Sequence, residues 1–145
     1  MRAIITILLT LFLSPTCFSN DLSTAKIDLG MRSYHWNKVD GLEYNETNHD
    51  FIGVEYKNLF VSSYVNSGFK RTNSIGYVSD QFCVKDHFVC GDVIVGLATG
   101  YQYKTGRDID FVVAPRLVVE LTDKMNLTIF GFPGEVIAVG FQLEF

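Results

Sequence analysis

Residues 135–145 constrain this chain more than any other stretch. Ile137, Val139, Phe141, Leu143 and Phe145 are large and apolar, and they alternate with Ala138, Gly140, Gln142 and Glu144. A strict two-residue period puts successive side chains on opposite faces of an extended strand, so one face is greasy and the other is not. The same alternation recurs upstream in short segments separated by turn residues. No helical period and no repeat is present, and there are only three prolines.

Residues 1–19 read differently. Arg2 is followed by an apolar run from Ile4 to Leu13 and then by Ser14, Pro15, Thr16, Cys17, Phe18 and Ser19. That order predicts a secretory signal, cut near Ser19, with Cys17 discarded. The run is too short to cross a bilayer as a helix, which takes roughly 20 apolar residues. Residues 20–145 then form one domain. The net charge of the whole chain is -4, without a basic patch, which excludes nucleic acid as a natural partner.

Eight strands are expected, over residues 25–35, 51–57, 59–66, 72–79, 92–103, 109–121, 125–132 and 135–145. Residues 36–50 make a long polar loop. The fold class is all-β, a small eight-stranded antiparallel up-and-down transmembrane barrel. An even count lets both ends of the domain share the periplasmic side. Ile27, Leu29 and Met31 are expected on the outer face of the first strand, with Lys26, Asp28, Gly30 and Arg32 inside. No charge is expected on the outer faces, where it would cost about 2–4 kcal/mol at the midplane. Tyr56, Tyr77, Tyr101, Tyr103, Phe141 and Phe145 suit interfacial girdles. A secreted lipocalin-like barrel or β-sandwich is the alternative, with the large apolar residues turned inward.

The interior of such a barrel is just wide enough to be filled by side chains or to hold one small ligand. The small residues Gly96, Ala98, Gly100, Ala138 and Gly140 either relieve crowding there or leave a slot for an acyl chain. Asp28, Arg32, Glu55, Arg116, Glu120 and Glu144 are expected to pair as an inner polar plug. Cys83 and Cys90, with six residues between them, most simply form a loop disulfide. Metal binding by this pair with His87 is the sharper alternative. No cofactor is called for, and a monomer is expected.

Several further residues carry a resemblance. Ser33-Tyr34-His35-Trp36 is followed by Tyr44-Asn45-Glu46, and Tyr64-Val65-Asn66-Ser67 precedes Gly76-Tyr77. Pro115 lies in the sixth segment, and Pro133-Gly134 opens the last hairpin. In this order and spacing, residues 34–145 resemble the PagP family of outer-membrane lipid A palmitoyltransferases. The final strand, with its glycine and closing Phe145, resembles those that close bacterial outer-membrane barrels. The resemblance implies an acyltransferase that moves a fatty acyl chain from a phospholipid to lipid A. His35, Asn66 and Ser67 would be its catalytic set, with Asn66 standing where the family has aspartate. Tyr44, Asn45, Glu46, Val78, Pro115 and Pro133 would contact the lipids, and Val78 would shorten the slot. Strict alternation would turn His35 outward, so it must lie beyond the first strand or after a bulge to reach Ser67. The other reading is a non-enzymatic outer-membrane barrel, with Asn66-Ser67-Gly68 as plain turn chemistry.

Overall fold

Alternation becomes a closed wall. The computed structural model describes residues 25–36, 43–84, 88–132 and 136–145. The strands are β1 (Lys26–His35), β2 (Thr47–Tyr56), β3 (Leu59–Val65), β4 (Arg71–Val78), β5 (Phe82–Val84), β6 (Val89–Thr99), β7 (Ile109–Thr122), β8 (Met125–Phe132) and β9 (Val136–Glu144). One helical turn, α1 (Gln102–Thr105), joins β6 to β7. The sheet runs β4-β3-β2-β1-β9-β8-β7-β6, and a β4–β6 ladder closes it into an eight-stranded antiparallel barrel. Closure removes the edges that an open sheet would leave unpaired. The predicted signal at residues 1–19, His87, Pro133 and Gly134 lie outside the described residues.

β5 is an addition to the expected eight strands. After Val78 pairs with Ile94, the Ser79 N–H donates to the Val93 carbonyl at 2.9 Å, and Phe82 then pairs with Gly91. β5 thus prolongs β4 along the same side of β6, beyond a local bulge. Cys83 and Cys90 face each other across this hairpin and form the disulfide.

The lower end of the barrel carries Lys26 and Glu144, which pair at 3.3 Å, together with the turns at residues 57–58 and 123–124. The upper end carries the longer connections after β1, β3 and β6. Outward positions are apolar and exposed along most strands, including Ile52, Val54, Ile75, Leu97, Leu117 and Phe141. Phe111 is 69% exposed. Inward positions divide into two layers. In the lower one, Arg116 donates to Asp92 at 2.9 and 2.7 Å and to Glu55 at 2.8 Å, and lies 3.8 Å from Asp28. Gln142 in turn donates to Asp28 at 3.2 Å. Above it, Met31, Phe51, Phe60, Tyr64, Ile94, Ala114, Phe130 and Ala138 form an apolar core, which Val78 joins.

The structure corrects the expected facing of β1. Gly30 sits at φ 58°, and the register slips between Leu29 and Met31. Beyond this bulge Met31, Ser33 and His35 point inward and are buried, while Arg32 and Tyr34 face out. Arg32 therefore leaves the plug and stands on the outer wall, against the expectation of a charge-free surface. Asp50 and Arg71 are exposed charges as well, joined at 2.7 Å. Glu120 is exposed at the lower mouth and makes no contact with Arg116, whose closest partner is Asp92 instead.

Two boundaries also move. β2 begins at Thr47, inside the expected loop, because Arg32 and Met31 find ladder partners in Thr47 and Asn48. β6 ends at Thr99 rather than Tyr103. Gly100 adopts φ 87°, where an L side chain is strained, and its backbone comes so close to Arg71 that a Cβ would lie 2.5 Å from that carbonyl. The chain turns there, and Tyr101 swings inward from its expected girdle position to meet the Tyr64 hydroxyl at 2.8 Å.

Candidate functional site at the upper rim

Three pieces of chain converge at the top of β1. The Ser33 N–H donates to the Glu46 carbonyl at 2.9 Å, which lays residues 43–46 alongside the strand. The Asn45 N–H donates to the Ser67 carbonyl at 3.0 Å, and its side-chain amide donates to the Val65 carbonyl at 3.2 Å. The Tyr44 ring lies 4.9 Å from the His35 imidazole, which is only 5% exposed. His35, Tyr44, Asn45, Glu46, Asn66 and Ser67 therefore share one rim. The Gly30 bulge turns His35 to this side.

Asn66 is held hard in place. Its oxygen accepts from the Gly68 and Lys70 N–H groups at 2.9 and 3.1 Å. Its nitrogen donates to the Thr72 hydroxyl at 3.0 Å and the Gly100 carbonyl at 2.8 Å. Both donors and both acceptor positions of the amide are engaged. Asn66 thus builds the β3–β4 turn and ties it to the β6 end, and at 1% exposure it has no face left for a substrate. Ser67 follows it in this turn and is half-buried.

Below the rim lies an apolar slot of about 40 Å³, lined among others by Met31, Phe51, Tyr64, Ala98, Ala114 and Phe130. Phe51 packs on Tyr64 at 5.4 Å and on Phe130 at 6.0 Å, so aromatic rings narrow it. The Tyr64–Tyr101 hydroxyl pair marks its upper side. Val78 is buried in the apolar core but is not part of this lining, so the expected shortening of the slot by Val78 does not fall on the slot that is present. Of the small-residue strip, Gly96 and Ala98 line it, whereas Gly100, Ala138 and Gly140 do not; Gly100 and Gly140 instead sit close against neighbouring backbone.

The wall itself has two breaks. The β7–β8 ladder rises to Arg116 opposite Phe130, and no higher pair exists among the described residues. Pro115 comes next on β7 and has no N–H to give. β7 continues upward to Ile109 paired with β6, while Gly131 and Phe132 pair with β9. Pro115 is exposed at the foot of this gap, and Val112, Ala114 and Phe132 line the slot behind it. The second break lies above Ile52 and Ser63, where the β2–β3 ladder stops. There the Asp50 carboxylate accepts the Val65 N–H at 3.2 Å in place of a backbone carbonyl. The sequence singles out Pro115 but not Asp50 or Phe51, and it places Tyr101 in an outer girdle rather than at the slot. An aspartate closing a bulge carries no spacing signal, whereas the glycine before Tyr101 was a visible warning that alternation would end.

No protein-family model, curated protein or solved structure matches this chain.

Proposed function

We propose that the protein is a bacterial outer-membrane acyltransferase that moves a fatty acyl chain from a phospholipid to lipid A. The observation that carries this reading is the apolar slot, which lies below the rim bearing His35 and Ser67 and is flanked by the gap above Pro115. An apolar slot of about 40 Å³ beside an interrupted ladder suits the tip of an acyl chain entering from the side, and a longer stretch requires the lining side chains to move apart. The wide outer band of exposed aliphatic and aromatic residues supports a membrane placement, because a patch of that extent is not left in water. A barrel satisfies every backbone group internally, as a bilayer requires.

In this mechanism an acceptor hydroxyl of lipid A attacks the ester carbonyl of the phospholipid. A new ester bond forms, the bond to the glycerol oxygen breaks, and the acceptor's proton passes to that oxygen, releasing a lysophospholipid. His35 is the base that takes and returns this proton, and Ser67 donates to the developing oxyanion. Asn66 positions Ser67 through the turn. Tyr44 orients the imidazole by ring contact, and Asn45 fastens the two loops together.

The complete engagement of the Asn66 amide favours a second reading, a non-enzymatic barrel whose loops are simply well tied. The lipid A mass profile of cells expressing the parent and Ser67→Ala separates the two. An added acyl chain with the parent that falls at least tenfold with Ser67→Ala supports transfer through Ser67. No addition by a parent shown to be folded in the outer membrane sinks the enzyme.

A further inference from the structure

The apolar outer wall is lopsided. On β7 the outward positions from Ile109 through Phe111, Val113, Pro115, Leu117 and Val119 to Leu121 are all apolar. With a rise near 3.3 Å per residue and a tilt near 40°, that run covers roughly 30 Å of height. On β4 only Ile75 and Tyr77 are apolar outside, and Asn73 and Arg71 stand above them. On β1 the bulge places Arg32 outward between Leu29 below and Tyr34 above. Its neighbour on β9 is Val139, and its neighbour on β2 is Thr47, which shares the outer face.

Arg32 is therefore a cation set inside an apolar wall. It makes no ion pair with any described residue, whereas Arg71 is already paired with Asp50. A charge at that height needs a counter-ion or a path to the headgroups. Arg32 and Thr47 offer a guanidinium and a hydroxyl side by side, with apolar surface at Leu29, Ile52 and Val139 for acyl chains. We propose that this pair docks the phosphodiester of a phospholipid against the outside of β1, three residues below His35. Charge complementarity picks the ligand: among the described residues, the outward wall charges Arg32, Arg71 and Asp50 leave one net positive charge, which one singly charged phosphodiester balances. The bis-phosphorylated headgroup of lipid A would bring more negative charge than this wall neutralises. The site rests on the membrane placement proposed above and gives the donor lipid a seat beside the rim.

Native mass spectrometry of the full chain, released from non-ionic detergent, tests it. The probes are phosphatidylglycerol, diacylglycerol with the same chains, and lipid A. Phosphatidylglycerol is expected to be retained at least tenfold over diacylglycerol, with Arg32→Gln lowering retention to the diacylglycerol level. Thr47→Val, on a separate exposed side chain, is expected to lower it a few-fold. Parental retention in both variants overturns the site while leaving the membrane placement standing. Preferential retention of lipid A, or displacement of the lipid by millimolar inorganic phosphate, overturns the choice of ligand. A chain that folds fully without detergent overturns both the site and the membrane placement.

Discussion

The two layers of the lumen solve the same problem by opposite means. The lower one fills a narrow barrel with charge: one guanidinium, 1% exposed, engages three carboxyl groups, and Gln142 buttresses Asp28. The upper one fills it with rings and methyl groups and leaves a slot of about 40 Å³. An ionic layer has strict partners and leaves no room for a ligand. An apolar layer is forgiving, because a foreign acyl chain can take the place of missing side-chain atoms without orphaning a hydrogen bond. The division tells which layer can receive an apolar guest; the larger hollow of about 250 Å³ at the lower mouth is lined by polar groups such as Gln81, Glu120, Asn126 and Glu144.

The strongest challenge to this contrast is Arg116→Ala. Three buried carboxyl groups would lose their shared counter-charge, and a loss of about 3–5 kcal/mol is expected. The urea midpoint of the detergent-folded barrel reads it. An unchanged midpoint would mean that the lower layer is not held by this guanidinium. Gly96→Ala probes the wall of the upper layer. Gly96 faces Gly76 across β4–β6, and a Cβ there would collide with the Ile75 carbonyl oxygen. Backbone has to move, so a cost of about 1–3 kcal/mol is expected by the same measurement. The mildest change to the fold is Ala114→Leu, which puts an isobutyl group into the slot. A stability cost of about 1 kcal/mol, at the low end for a small-to-large change because the added atoms enter existing space, is expected. Acyl transfer, read in the lipid A mass profile, should be lost or shifted to shorter chains. Parental chain length in that variant would show that the acyl group does not use the slot.

Much of this architecture was legible in the sequence, for a definite reason. β6, β7 and β9 each bury one face and expose the other over many residues, so alternation survives intact from end to end. The plug was legible through Asp28, Glu55 and Arg116, which have the right parity and nowhere else to find a partner. What escaped reading lies where alternation is interrupted by backbone geometry. The pattern of β1 is ambiguous past Leu29, since Met31 and Arg32 exchange faces only if Gly30 takes a positive φ. Tyr101 was placed outside because the alternation of β6 carries on through Gly100 in letters but not in space. Asn66 and Ser67 were found as a turn and as a candidate pair. The saturation of the Asn66 amide depends on Thr72 and Gly100, distant positions that no local pattern names.

The Gly30 bulge acts as a phase shift of one residue. Below it the wall follows one parity, and above it the other, so everything from Met31 to His35 depends on a single inserted step. A substitution in this strand alters one side chain. Loss of Gly30 would instead reverse the whole upper segment, sending His35 out to the surface and drawing Arg32 into the apolar slot. Catalytic candidate and proposed lipid anchor are thus two readouts of one backbone irregularity, and neither can be relocated without the other.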